Sequence, residues 1–193
     1  SYNEHISNLT SSCIRKLCEI NQVKTSFDAK TLQSVVEALV ISKLTYGSTI
    51  WSNTSAKNIK KLQTVQNFAA RIITKLRKFD HITPSLHELN WLPMEQLLLY
   101  RDTIMAYKCF NNLAPGYLTN KFVKRSHIHN RHTRNCDSLE IPAFKTSSGQ
   151  RTFCYRAVKI WSNLDNELKQ ITTLGKFKKK LKQQLIRQFY HNT

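Results

Sequence analysis

Ser55 to Lys75 reads SAKNIKKLQTVQNFAARIITK, and the spacing of its apolar residues decides the fold class. Ile59, Leu62, Val65, Ala69, Ile72 and Ile73 recur every three or four positions, the period of a helix that buries one stripe. The remaining positions carry Lys57, Lys60, Lys61, Gln63, Asn67, Arg71 and Lys75. At about 100° per residue, the five cations among them fall within an arc of roughly 100° opposite the stripe. One face is thus fitted to a core, and the other carries positive charge without a single acidic residue.

The same period extends in both directions. Upstream, Ile6, Leu9, Cys13, Leu17 and Ile20 predict a helix from about Asn3 to Ile20. Thr25, Ser26 and Asp28 are start signals for a second helix expected to bury Leu32, Val35, Val36, Leu39 and Leu44, with Gly47 as its stop. Downstream, Thr83 and Pro84 open a short helix, and Pro93 opens one that runs to Phe110 or Asn111 and buries Leu97, Leu98, Ile104 and Met105. Residues 126–138 are rich in His, Arg, Asn and Ser and are expected to form a loop. Leu139, Ile141 and Ala143 alternate with polar or proline positions, which predicts one short edge strand at most. Arg151 to Leu164, with Phe153, Val158 and Trp161, and Thr173 to Tyr190, with Leu174, Phe177, Leu181, Leu185 and Phe189, complete a mainly α reading. The patterning divides the chain into a helical bundle over residues 1–120 and a looser basic helical segment over 121–193.

Charge is the abnormal quantity. Thirty Lys and Arg against twelve Asp and Glu give a formal +18 in 193 residues, whereas 40% hydrophobic and 22% charged residues are ordinary for a folded domain. No acidic residue interrupts the chain between Glu37 and Asp80, between Asp102 and Asp137, or after Glu167. The basic residues in these runs include Lys57, Lys60, Lys61, Arg71, Lys75, Arg77 and Lys78 in the first and Lys178, Lys179 and Lys182 in the last. A solvated helix normally mixes signs, because like charges one turn apart repel. Three acid-free runs therefore point to a counter-charge from outside, of which nucleic acid is the commonest. No apolar run reaches the eighteen or so residues that span a bilayer, and no signal peptide or lipidation motif is visible, so no membrane partner is expected. Five cysteines without a paired framework suit reduced thiols in a cytoplasmic or nuclear protein. The chain opens at Ser1 rather than Met, as a fragment or a processed product would.

Several stretches, in order, resemble the region after the polymerase palm in non-LTR, LINE-type retrotransposon reverse transcriptases of the jockey and chicken-repeat group. These are ALVISKLTYGSTIW at Ala38 to Trp51, KLQTVQNFAARIIT at Lys61 to Thr74, HITPSLHELNWLP at His81 to Pro93, NLAPGYL at Asn112 to Leu118 and FCYRAVKIWSNL at Phe153 to Leu164. The resemblance implies a helical thumb over the first half, a helical connector after it, and RNA, DNA or their hybrid as the partner, beside the palm of the parent RNA-directed DNA polymerase. It also implies that magnesium belongs to that parent's catalytic aspartates. Two-metal transfer needs carboxylates converging on ions about 3.5–4 Å apart, and Asp28, Asp80, Asp102, Asp137 and Asp165 sit in no such motif. No cofactor or catalytic residue is assigned to this stretch. The alternatives are an inactive remnant of a decayed element, or a basic helical adaptor adopted by a host to bind RNA or protein.

His127, His129, His132 and Cys136 are the residue types that hold zinc at close spacing, but the paired CxxC is absent, and a basic loop is the simpler reading. Trp51, Trp91 and Trp161 could stack on bases; their apolar flanks assign them to the core instead. His81 and His87 have no Ser or Cys partner, and four scattered glycines build no phosphate loop.

Overall fold

Helical spacing becomes helical structure along nearly the whole chain. A computed structural model describes residues 2–123, 125, 139–140 and 144–191, and among these the protein is mainly α-helical with no strand. The elements are α1 (Asn3–Val23), α2 (Ala29–Val36), α3 (Ser42–Leu44), α4 (Ser48–Trp51), α5 (Ala56–Thr74), α6 (Thr83–Glu88), α7 (Met94–Phe110), α8 (Gly116–Thr119), α9 (Ser147–Gln150), α10 (Phe153–Ser162), α11 (Asn166–Lys169) and α12 (Leu174–His191). Of the alternation expected after residue 138, the described residues show a backbone bond from Glu140 N–H to the Val123 carbonyl at 2.9 Å. Ile141 and Ala143 lie outside the described residues.

The chain forms two compact units: Ser1–Leu98 with Leu185–Thr193, and Leu99–Gln184. Both boundaries fall inside long helices, α7 and α12. Breaks in periodicity mark loops. Unit boundaries are set by which side chains share a core, and a continuous helix can serve two cores along its length.

The first unit is built on α1 and α5, whose stripes form one core. Ile6, Cys13, Leu17 and Ile20 from α1 and Leu62, Val65, Ala69, Ile72 and Ile73 from α5 are buried in it. Leu32, Val36, Val40 and Leu44 add the second helical stretch, and Leu86, Leu89, Trp91, Met94 and Leu98 add the third. Leu39, expected inside, is 49% exposed, and Val40 takes the buried place. The reason is local: Glu37–Ile41 is a π-helical turn between α2 and α3, in which Ser42 N–H donates to the Glu37 carbonyl. An α-helix overshoots by about 40° over four residues. The wider π turn removes that overshoot, so Val36, Val40 and Leu44 follow one another on the same face. Ile59 is half-buried, as are Leu9 and Val35.

Caps fix where the helices stop. Asn90 and Asn112 both adopt the left-handed conformation, φ 55° each, two residues past the last helical position of α6 and of α7. Trp91 N–H donates back to the Leu86 carbonyl and Leu113 N–H to the Lys108 carbonyl, at 2.8 Å each, the Schellman arrangement that satisfies the last carbonyls. Gly47 is also left-handed at φ 60°, in the turn between α3 and α4. A Cβ there would meet nothing within 4 Å, so the cost of any side chain is conformational alone. Replacing Gly47 by Val should therefore lower stability by about 1–2 kcal/mol. That is read as a lower urea midpoint with an unchanged slope.

In the second unit Tyr107 and Phe177 are fully buried and stacked, with ring centroids 4.1 Å apart and an interplanar angle of 26°. Tyr107 donates its hydroxyl to the Ile171 carbonyl at 2.8 Å, so its polar end is satisfied. Ala106, Cys109, Ala157, Val158, Leu168 and Leu181 are also buried in this unit. Trp161 lies 4.7 Å from the Phe110 ring, and Phe122 stands edge-on to Phe110 at 5.0 Å. Ile104 and Met105, expected in the core, are only half-buried. The residues α7 buries are Met94, Leu98, Asp102, Thr103, Ala106, Tyr107 and Cys109, a set in which polar side chains interrupt the apolar spacing. Asp102, 3% exposed, forms an ion pair with Arg156 of α10. A buried pair of this kind is costly to break, because either partner alone is an uncompensated charge.

Candidate nucleic-acid interface

The basic face expected from the sequence begins on α5. Ser55 caps this helix, its hydroxyl oxygen accepting from Asn58 N–H at 3.4 Å. Asn58 is buried and ties the same end to α1 and the preceding turn, donating to Asn3 Oδ1 and Thr54 Oγ1 at 2.7 Å each. With the stripe held inward, Lys57, Lys60 and Lys61 are exposed. None of the three forms an ion pair with a described residue. Lys61 Nζ donates to Ser7 Oγ at 3.0 Å, a neutral, half-buried partner that leaves its charge uncompensated.

Two positions on the wheel differ from the expectation. Lys75 lies past the helix end in the left-handed conformation, φ 58°, so the helical phase does not fix its direction, although it is exposed. Arg71 is half-buried and committed to the loop that follows: Nε donates to the Arg77 carbonyl at 3.2 Å and Nη2 to the Asp80 carbonyl at 3.3 Å. Its part is to brace Arg77 and Lys78, both exposed, rather than to lead the basic face itself. Gln63, assigned to the polar face, also turns inward. Its Oε1 accepts from Met94 N–H at 2.7 Å and so caps the start of α7, while Gln66, buried beside it, donates to the Leu92 carbonyl at 2.8 Å.

Within the second unit, Lys179 is exposed, and Lys178 and Lys182 are half-buried beside the stripe of Phe177, Leu181 and Leu185. Their aliphatic stems can cover apolar surface while the ammonium groups reach water. Lys180, on another side of α12, pairs with Glu167 at 2.8 Å.

Among the described residues the aspartates show no convergence. Asp28 caps α2, accepting from Lys30 and Thr31 N–H at 3.2 Å each, and the bonds from Thr31 hold its carboxyl below the ordinary range. Asp80 accepts from Arg77 N–H at 2.7 Å, Asp102 pairs with Arg156, and Asp165 accepts from Gln184. Each described aspartate thus has a separate structural partner; Asp137 lies outside the described residues. The described aspartates do not fit a two-metal centre. Among the described residues no group of three His, Cys, Asp or Glu side chains is placed to hold a metal. His127, His129, His132 and Cys136 lie outside the described residues.

The remaining sequence candidates are structural. Trp51 and Trp91 are buried, with indole N–H groups donating to the Tyr46 carbonyl at 3.3 Å and to Glu37 Oε1 at 2.7 Å. Trp161 is half-buried among aromatic rings. His87 stands edge-on to Tyr190 with ring centroids 4.7 Å apart. Burial pushes the Tyr190 phenol up to about 12, and it donates to the Trp91 carbonyl at 2.8 Å. Cys13, Cys18, Cys109 and Cys154 are free thiols. Burial raises Cys109 to about 11, which makes it a poor nucleophile. No described helix is long and apolar enough to cross a membrane. Compared with family models, curated proteins and solved structures, the chain finds no match.

Proposed function

We propose that this chain is the nucleic-acid-gripping C-terminal portion, thumb and connector, of a non-LTR retrotransposon RNA-directed DNA polymerase, acting in the cytoplasm or nucleus on RNA, DNA or their hybrid. The observation that carries the binding is the exposed row Lys57, Lys60 and Lys61 on a helix anchored by its opposite face, with no acidic partner among the described residues. The element family rests on the ordered resemblance of five sequence stretches. In this reading the palm of the parent protein supplies the metal-binding carboxylates, and these residues hold the template and primer through their phosphates.

Lys57 to Lys61 spans about 6 Å of helix rise, a span over which ammonium groups can reach neighbouring phosphates of one strand. Ammonium groups at that spacing neutralise neighbouring phosphates and release their counter-ions, which favours binding without reading the sequence. Five such phosphate interactions, drawn from Lys57, Lys60, Lys61, Lys75, Arg77 and Lys78, give a slope of log affinity against log salt of about −4 to −5 on a duplex. Fluorescence anisotropy with two RNA–DNA hybrids of unrelated sequence should show that slope and affinities equal within about threefold. Absence of binding at low salt, or strong discrimination between the two sequences, would contradict the proposal.

A further inference from the structure

Phe79 is the most exposed large apolar side chain among the described residues, at 91%. An isolated exposed aromatic needs no explanation in general, but this one is held out by a built support. Arg77 to Asp80 is a turn closed twice: Asp80 N–H donates to the Arg77 carbonyl at 3.3 Å, and Arg77 N–H donates to Asp80 Oδ2 at 2.7 Å. The Arg71 guanidinium binds the carbonyls at both ends of the same turn, anchoring it to the end of α5. Lys78 and Phe79 therefore occupy the tip of a braced turn, with the Lys78 ammonium 5.6 Å from the Phe79 ring centroid. Lys75, Arg77 and Lys78 lie within four positions of Phe79 in the chain, and all three are exposed.

We propose that this turn is a base-stacking site, in which Phe79 takes the face of an unpaired base while Arg77 and Lys78 hold the phosphates on either side of it. An exposed aromatic ring on a braced turn, with a lysine at the ring and further cations adjacent in the chain, suits single-stranded nucleic acid. Stacking is indifferent to base identity, and the phosphates follow the cations. A closed duplex offers Phe79 no base face except at its ends, so the ligand is a single strand, or the single-stranded part of a junction. The inference rests on the nucleic-acid reading above and goes beyond it, because the lysines of α5 alone would not distinguish paired from unpaired strands.

The test compares a labelled oligouridine with an RNA–DNA hybrid of the same length, using the whole chain, its Phe79→Ala variant and its Phe79→Trp variant. Phe79→Ala removes an exposed side chain with no charge, so the fold and the salt slope should stay as they are. Single-strand affinity should fall about 5- to 150-fold, the range for losing one stacked base, while hybrid affinity changes less than about twofold. Phe79→Trp should restore single-strand binding, since the larger ring stacks at least as well. A 2-aminopurine in the single strand should lose fluorescence on binding the unmodified chain and not on binding Phe79→Ala. If the unmodified chain binds both ligands and Phe79→Ala binds them equally well, the stacking site is overturned and the basic-face reading stands. Equal weakening on both ligands also overturns it. Failure of the unmodified chain to bind either one overturns the inference and the reading beneath it together.

Discussion

Leu62→Asp is expected to lower the thermal midpoint of the first unit, the one that α1 and α5 hold together, by roughly 15 °C or more, or to unfold it outright. Leu62 is fully buried at the centre of the α5 stripe, in the same core as Leu17, Val65 and Ala69. Truncating a buried Leu to Ala costs about 2–5 kcal/mol in transfer and cavity terms. An Asp at the same place adds the desolvation of a charge, or of a neutral carboxyl without a partner. The sum reaches at least about 4 kcal/mol, against a total of about 5–15 kcal/mol for a domain. Thr64→Asp is the matched control, since Thr64 lies two residues away on the outward face of the same helix. It changes helix propensity by less than about 1 kcal/mol, so its melt should stay within a few degrees of the unmodified chain. Circular dichroism through a thermal ramp separates the outcomes, and an unchanged melt for Leu62→Asp would mean that the stripe is not the core.

Long, strongly periodic helices are legible in the sequence because burial and period coincide in them. The stripes of α1, α5 and α12 lie where their spacing puts them, and Ser55 caps α5 as its position suggests. What escapes such a reading depends on geometry that a constant period does not contain. A π turn at Glu37–Ile41 moves Val40 into the place expected for Leu39. Along α7, Asp102 and Thr103 are buried because Arg156 and the Leu99 carbonyl satisfy them, and that partnering is invisible in a pattern that counts polar residues as outside. The same applies to Gln63 and Gln66, which look like surface residues until Met94 N–H and the Leu92 carbonyl are placed beside them.

The basic face divides in the same way. Lys57, Lys60 and Lys61 follow directly from helical phase; among the described residues none forms an ion pair, and Lys61 donates to the Ser7 hydroxyl. Arg71 has the same phase, but its planar group of fixed donors suits two backbone carbonyls at once, and a loop returning past the helix end supplies them. A wheel records direction and not length, so it does not separate an arginine that folds back from a lysine that points out. Phe79 has no such signal, because one aromatic residue in a turn has no period at all. The only sign of it is its company, Lys75, Arg77 and Lys78 within four positions.

The salt dependence of hybrid binding by the triple variant Lys57→Ala, Lys60→Ala, Lys61→Ala bears most directly on the claim that α5 is the grip. Each lysine is exposed and makes no ion pair with a described residue, so alanine, the best helix former, leaves the fold intact. Every lysine–phosphate interaction removed from a duplex complex takes about 0.9 off the slope of log affinity against log salt. Without all three, the slope falls by up to about three units, and binding at about 0.1 M salt weakens by as much as roughly two to three orders of magnitude. The measurement is a set of anisotropy titrations at several salt concentrations, with circular dichroism to confirm folding. The predicted result is a folded variant whose slope is shallower by about two to three units. A folded variant with the slope and affinity of the unmodified chain would contradict the account and make the exposed face of α5 a solvated surface.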